Sequence, residues 1–233
     1  MTITTTNSTK DEVLDKREDE KESKRSKSSL YIIQISGAAI FSAISIVVSI
    51  FIAPLLPRVP GVPIAYIDPI SFIWITCFLI FGVEAGLLCS GIGTVGLMFA
   101  DIANAPWGPL MKFVATVSMI IVPIILLKLY KREEGERKSQ VYKNLKKYIA
   151  TGALGTGLRV ITTTLLNIVL ALTVYAPFIA YVNLEFLGLP QITGMTALII
   201  AFPLINAWQS AFDLGVPYLL VFSSKLDERF EIW

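Results

Sequence analysis

Asn206, Gln209 and Asp213 stand at i, i+3 and i+7 in the stretch Phe202-Pro203-Leu204-Ile205-Asn206-Ala207-Trp208-Gln209-Ser210-Ala211-Phe212-Asp213. That spacing places all three on one face of a helix. A carboxamide both donates and accepts hydrogen bonds, and a carboxylate accepts them and carries charge. The stretch lies inside a long apolar run near the C-terminus. Polar side chains within a bilayer are costly unless they face protein, water or a ligand. Two readings of this stripe stand side by side: a pocket for a polar ligand, or hydrogen-bonding glue between helices.

A second polar set, Arg159, Thr163 and Asn167, recurs at i, i+4 and i+8 in another apolar run. It follows one slowly turning helical face. Arg159 lies 11 residues past the start of its segment at 148, and Asp213 lies 11 residues before the end of its own near 224. At the rise of an α-helix both sit at the same depth, about 16 Å. An Arg159–Asp213 ion pair is expected, with a structural role favoured over substrate contact, because removing one partner of a buried pair is strongly destabilising. By the same reckoning Asn206 and Gln209 fall near the middle of the membrane. Asn167 and Lys112 fall in its outer half, and Asp68 and Asp101 at outer helix ends. A pocket open to the outside follows, lined by carboxamides with charged groups at its mouth.

Other chemistries find little support. The chain has no histidine, which removes Ser-His-Asp and Cys-His nucleophilic sites and His-ligated zinc. Cys77 and Cys89 lie in apolar stretches and read as small packing residues, without a disulfide framework. No Walker A sequence is present. The carboxylates Asp68, Glu84, Asp101 and Asp213 are far apart and form no metal-binding motif. The chain therefore reads as a non-enzyme with no catalytic residue, no metal and no cofactor. An integral membrane enzyme acting on lipid head groups is the competing class, and a ligand-free structural membrane protein a further one. Nothing points to nucleic acid.

The elements that must position these residues are transmembrane. Of 233 residues, 54% are hydrophobic, and the mean hydropathy is +0.66. Residues 1–29 hold seven basic and seven acidic residues with almost no apolar content, the composition of a disordered tail. Six apolar segments follow, over 30–53, 69–82, 83–104, 107–130, 148–175 and 191–222. They predict an all-α integral membrane domain of six transmembrane helices spanning 30–225, with a C-terminal tail over 226–233. Pro54 and Pro57 end the first helix, and the proline-rich loop 54–68 is apolar enough to fold over something. Ala39 and Ala43 form a small-xxx-small pattern that permits close helix approach. Fourteen of the 20 Lys and Arg residues fall in 1–29 and 131–147. The positive-inside rule puts 131–147 in the cytoplasm, and six spans then put both termini there too.

These features together resemble the S components of energy-coupling-factor transporters, six-helix membrane proteins that capture vitamins. The likeness covers about residues 31–225 and rests on Ala39-xxx-Ala43, the outer loop ending in Ile67-Asp68 and the glycine-rich third helix. Leu158-Arg159-Val160 through Leu165-Leu166-Asn167 and Phe202-Pro203-Leu204-Ile205-Asn206 resemble the riboflavin-specific branch. The resemblance implies a cell-membrane, multi-pass subunit that captures riboflavin or a related flavin and works with a transmembrane coupling subunit and two ATP-binding subunits. Another vitamin or precursor on the same fold is the alternative. It implies that Ala39 and Ala43 dock on the coupling subunit and that Asn167 and Asn206 bind the flavin ring. Gln209, Lys112, Asp68 and Thr163 would complete the site, with Tyr66, Trp107 or Trp208 stacking on the ring. The family commonly has lysine where this chain has Gln209, which leaves the substrate open.

Overall fold

The computed structural model describes residues 6–62, 64–100, 105–130, 137–230 and 232–233, with side chains from residue 28 onward. Asp101 lies outside the described residues. The helices are α1 (Thr6–Phe51), α2 (Pro69–Phe81), α3 (Val83–Ala100), α4 (Trp107–Leu127), α5 (Lys138–Lys143), α6 (Leu145–Thr173), α7 (Gly194–Tyr218) and α8 (Leu226–Phe230). Among the described residues, five helical stretches are long and apolar enough to cross a membrane: Ser28–Leu55, Val83–Ala100, Trp107–Leu127, Leu145–Thr173 and Gly194–Ser223. The chain is a mostly helical, multi-pass membrane protein.

Of the six expected spans, the second is the exception. Helix α2 has 13 residues, about 20 Å of rise against a hydrocarbon core of about 30 Å. Eleven of its residues are buried, so it runs through protein and not along lipid. Trp74 is its anchor: fully buried, it donates from Nε1 to Ser45 Oγ of α1 at 3.0 Å. Gly93 of α3 makes room for the ring, since a Cβ there would sit 2.7 Å from the indole. The glycine-rich third segment thus accommodates a bulky side chain from α2.

Two further segments take regular structure. The composition of residues 1–29 predicts a disordered tail, whereas helix α1 begins at Thr6. Lys, Arg and Glu are good helix formers, and a helix continuing from an apolar span needs no new nucleus. The segment 226–233, expected as a C-terminal tail, folds back on the bundle through Trp233. Trp233 is buried against Phe78 at 5.0 Å between ring centroids, over Gly82 at the end of α2. Its carbonyl accepts from Ser139 N at 3.2 Å and from Ser139 Oγ at 2.5 Å. An indole gains more from that niche than from water. Lys143 and Glu228 pair nearby at 2.6 Å.

At the opposite end, two connections pack together. The hairpin β1 (Asn183–Leu184) and β2 (Leu189–Thr193), unforeseen from sequence, lies beside the proline-rich loop. Asn183 N donates to Gly61 O at 3.0 Å. Val59, Val62, Leu184, Ala197, Ala201 and Ile205 form a small apolar core beneath. The loop therefore folds over the end of α7, which bears the polar stripe.

Candidate functional site

Arg159 is the centre of the polar cluster. It projects from α6, one turn beyond Gly155, where α6 runs close to the α4 backbone at Met119. Pro123 has no N–H, so the carbonyl of Met119 loses its usual helical donor. Arg159 is 1% exposed and Asp213 is fully buried. Arg159 Nη1 donates to Asp213 Oδ2, the pairing that equal depth predicts. The same nitrogen contacts Met119 Sδ at 3.2 Å.

The carboxamides complete the shell. Arg159 Nε donates to Asn206 Oδ1 at 3.4 Å, and Nη2 donates to Gln209 Oε1 at 3.3 Å. Asn206 Nδ2 turns back to Phe202 O at 2.9 Å. Gln209 Nε2 donates to Ala65 O, in the proline-rich loop, at 2.7 Å. Asp213 Oδ1 is buried without a hydrogen-bond partner among the described residues. Asn206, Gln209 and Asp213 thus share one face, as the spacing predicts. Pro217 lies four residues beyond Asp213 and leaves the Asp213 carbonyl without its helical donor, just before a π-helical turn over Leu219–Ser223.

The other expected site residues are placed differently. Thr163 is buried but spends its hydroxyl on Arg159 O of its own helix, at 2.7 Å. Asn167 is half-buried, two turns beyond Arg159, and donates to Thr163 O at 2.8 Å. It makes no hydrogen bond to the Arg159 cluster. Lys112 and Asp68 pair with each other at 2.5 Å. Asp68 also caps α2, accepting from Ile70 N at 3.1 Å, which is the usual use of a carboxylate before a helix. Tyr66 packs on the small outer core. Trp208 is half-exposed and lies edge-on to Phe212 at 5.2 Å, off the face of the polar stripe. It does not stack over the carboxamides, because it is rotated about 100° from Gln209 and 200° from Asn206. Trp107 is partly exposed at the start of α4.

Ala39 and Ala43 both lie on the exposed face of α1, while Ala38, Ser42 and Ser45 form its buried face.

The open, carboxamide-lined pocket expected at the outside is closed over by the Gln209–Ala65 contact. A small cavity of about 20 Å³ lies instead among Phe78, Met119, Tyr142, Tyr148 and Leu214. It has room for about one water and is mostly apolar. The polar cluster, with its ordered donors and acceptors, is the better candidate for recognition.

Sequence reasoning missed Met119 and Ala65. Met119 reads as an ordinary apolar core residue, and Ala65 acts through its backbone carbonyl, for which no side-chain pattern exists. No family model, curated protein or solved structure matches the chain.

Proposed function

We propose that this chain is the substrate-capturing membrane subunit of an energy-coupling-factor-type importer, taking riboflavin or a related flavin from outside the cell. The observation that carries this reading is the buried carboxamide cluster around Arg159, held between two long apolar helices and covered by one loop. The charges of this cluster cancel within it, as do those of Lys112 and Asp68. An uncharged polar ligand suits such a site, since an added charge would be buried unpaired. The pyrimidine edge of an isoalloxazine is neutral and offers carbonyl oxygens to carboxamide N–H groups.

In this reading α2 completes six crossings, with both termini in the cytoplasm and the proline-rich loop and hairpin outside. The chain supplies recognition only. Partner ATP-binding subunits and a coupling membrane subunit would supply the energy, and the exposed Ala39–Ala43 face would be the docking surface. Small residues there would let a partner helix approach closely. The same fold with another neutral vitamin is the second reading, favoured by Gln209, which brings no charge of its own to the ligand.

The test is an absorption spectrum of the detergent-purified protein, followed by quenching of added riboflavin fluorescence. A retained flavin shows a band near about 450 nm, from the isoalloxazine itself. Close to one flavin per chain supports the reading. A colourless protein that leaves riboflavin fluorescence unchanged moves the assignment to another vitamin.

A further inference from the structure

A guanidinium has five N–H donors and no acceptor, so a carboxamide hydrogen-bonded to it must present its oxygen. Both carboxamides of the cluster do so: Asn206 Oδ1 faces Arg159 Nε and Gln209 Oε1 faces Arg159 Nη2. Their NH₂ groups are thereby turned away from Arg159. Asn206 Nδ2 makes one bond, to Phe202 O, and Gln209 Nε2 makes one, to Ala65 O. Each NH₂ has two N–H bonds, so one donor on each remains to be used.

A counter-ion for Asp213 would need only one donor, and lysine would serve. Arg159 serves four acceptors at once: Asp213, Asn206, Gln209 and Met119. A planar fork can do this, and an ammonium on a flexible stem cannot hold the same set of directions.

We infer that Arg159 is the positioning residue of the site. It fixes the two carboxamides with oxygens inward and NH₂ groups outward, and so selects a neutral ligand that presents carbonyl oxygens. Ligand entry takes up the remaining N–H of each carboxamide. Asp213 Oδ1, a turn further along α7 and without a partner among the described residues, is left to accept a donor. The choice of flavin as probe rests on the function proposed above; the orientation of the amides does not.

The experiment uses the full chain in detergent, as wild type, Arg159→Lys and Asn206→Asp. The first measurement needs no ligand. Nitrogen-labelled side-chain amides of Asn206 and Gln209 are followed by hydrogen exchange, with elution profile and melting temperature reporting the fold. Wild type should show both amides protected, and a folded Arg159→Lys should exchange them about tenfold faster, because an amide whose oxygen is no longer held turns and releases its N–H bonds to Phe202 O and Ala65 O. Unprotected amides in wild type, or unchanged protection in Arg159→Lys, overturn the inference.

The second measurement compares riboflavin with an analogue carrying sulfur in place of a ring carbonyl oxygen. Wild type should prefer riboflavin by about tenfold, and Arg159→Lys should lose that preference. Retained preference in Arg159→Lys overturns the inference. Asn206→Asp keeps an oxygen for Arg159 but removes the NH₂, so it guards against a lysine variant that fails to fold. It should lose riboflavin while remaining folded, and full affinity in it overturns the outward-donor arrangement. If wild type binds no riboflavin, the flavin reading falls, and the amide exchange alone decides the role of Arg159.

Discussion

Gln209 Nε2 donates to Ala65 O across 144 residues of chain, at 2.7 Å. This bond joins the buried polar cluster to the loop above it. Gln209 also accepts from Arg159, so one side chain links the middle of the bundle to its covering loop. Gln209→Leu should therefore loosen the loop without unfolding the helices. Limited proteolysis within 54–66 should become faster, while the melting temperature changes little. Unchanged cleavage would show that the apolar outer core alone holds the loop.

The Arg159–Asp213 pair should behave asymmetrically under mutation. Arg159→Ala leaves Asp213 buried and uncompensated, at a cost of about 3–5 kcal/mol. A double change to apolar residues of similar volume removes both charges and should recover most of that loss. Thermal unfolding of the detergent-solubilised protein measures both. Equal damage from the double variant would mean that the hydrogen bonds to Asn206 and Gln209 dominate.

Asn206→Ala should weaken riboflavin capture by about tenfold or more, the worth of one or two hydrogen bonds. The fold should persist, since Asn206 lies at the edge of the network and Asp213 keeps its partner. Equilibrium fluorescence titration reads the affinity, and wild-type affinity in the variant would remove Asn206 from the site.

Ala39→Trp places a large ring on an exposed helix face. Ligand capture should survive, while co-purification with the coupling subunit and uptake into cells should fail. Normal assembly and uptake would mean that another face of the bundle docks.

The exposed pair Lys143–Glu228 gives a pH dependence of known sign. The hydrogen bond from Lys143, then its charge, holds the Glu228 carboxyl below its ordinary value of 4.5. A depressed folded value adds stability that is present above 4.5 and lost as the pH falls through that lower value. Glu228→Gln should thus lower the melting temperature slightly at neutral pH and not at all in strong acid. Added salt should shrink the difference, because both groups face solvent. A difference that persists in strong acid would assign the effect to packing of α8.

Gly61 has φ +78°, and a Cβ there would lie 2.0 Å from Asn183 Oδ1. Gly61→Ala combines backbone strain with this clash, and should cost more than about 1 kcal/mol. The loss should appear as faster hydrogen exchange in the hairpin and the proline-rich loop together. Exchange confined to one of them would mean that the two connections are not one packed unit.

The sequence by itself determined the apolar segments, the shared face of Asn206, Gln209 and Asp213, and the match in depth between Arg159 and Asp213. These follow from local regularities: about 100° and 1.5 Å per helical residue, and the exclusion of polar groups from lipid. Trp208, expected to stack on a ligand ring, turns away from that face instead. Tertiary structure alone decided that Lys112 and Asp68 face each other across 44 residues. It alone also placed Ala65 over Gln209 and turned both carboxamide oxygens toward Arg159. Those relationships depend on the path of loops and on how many donors one guanidinium can direct at its neighbours, and neither has a period along the chain. The length of α2 reflects the same division: a short apolar segment is legible along the chain, while the burial of 11 of its 13 residues by neighbouring helices was decided only in three dimensions.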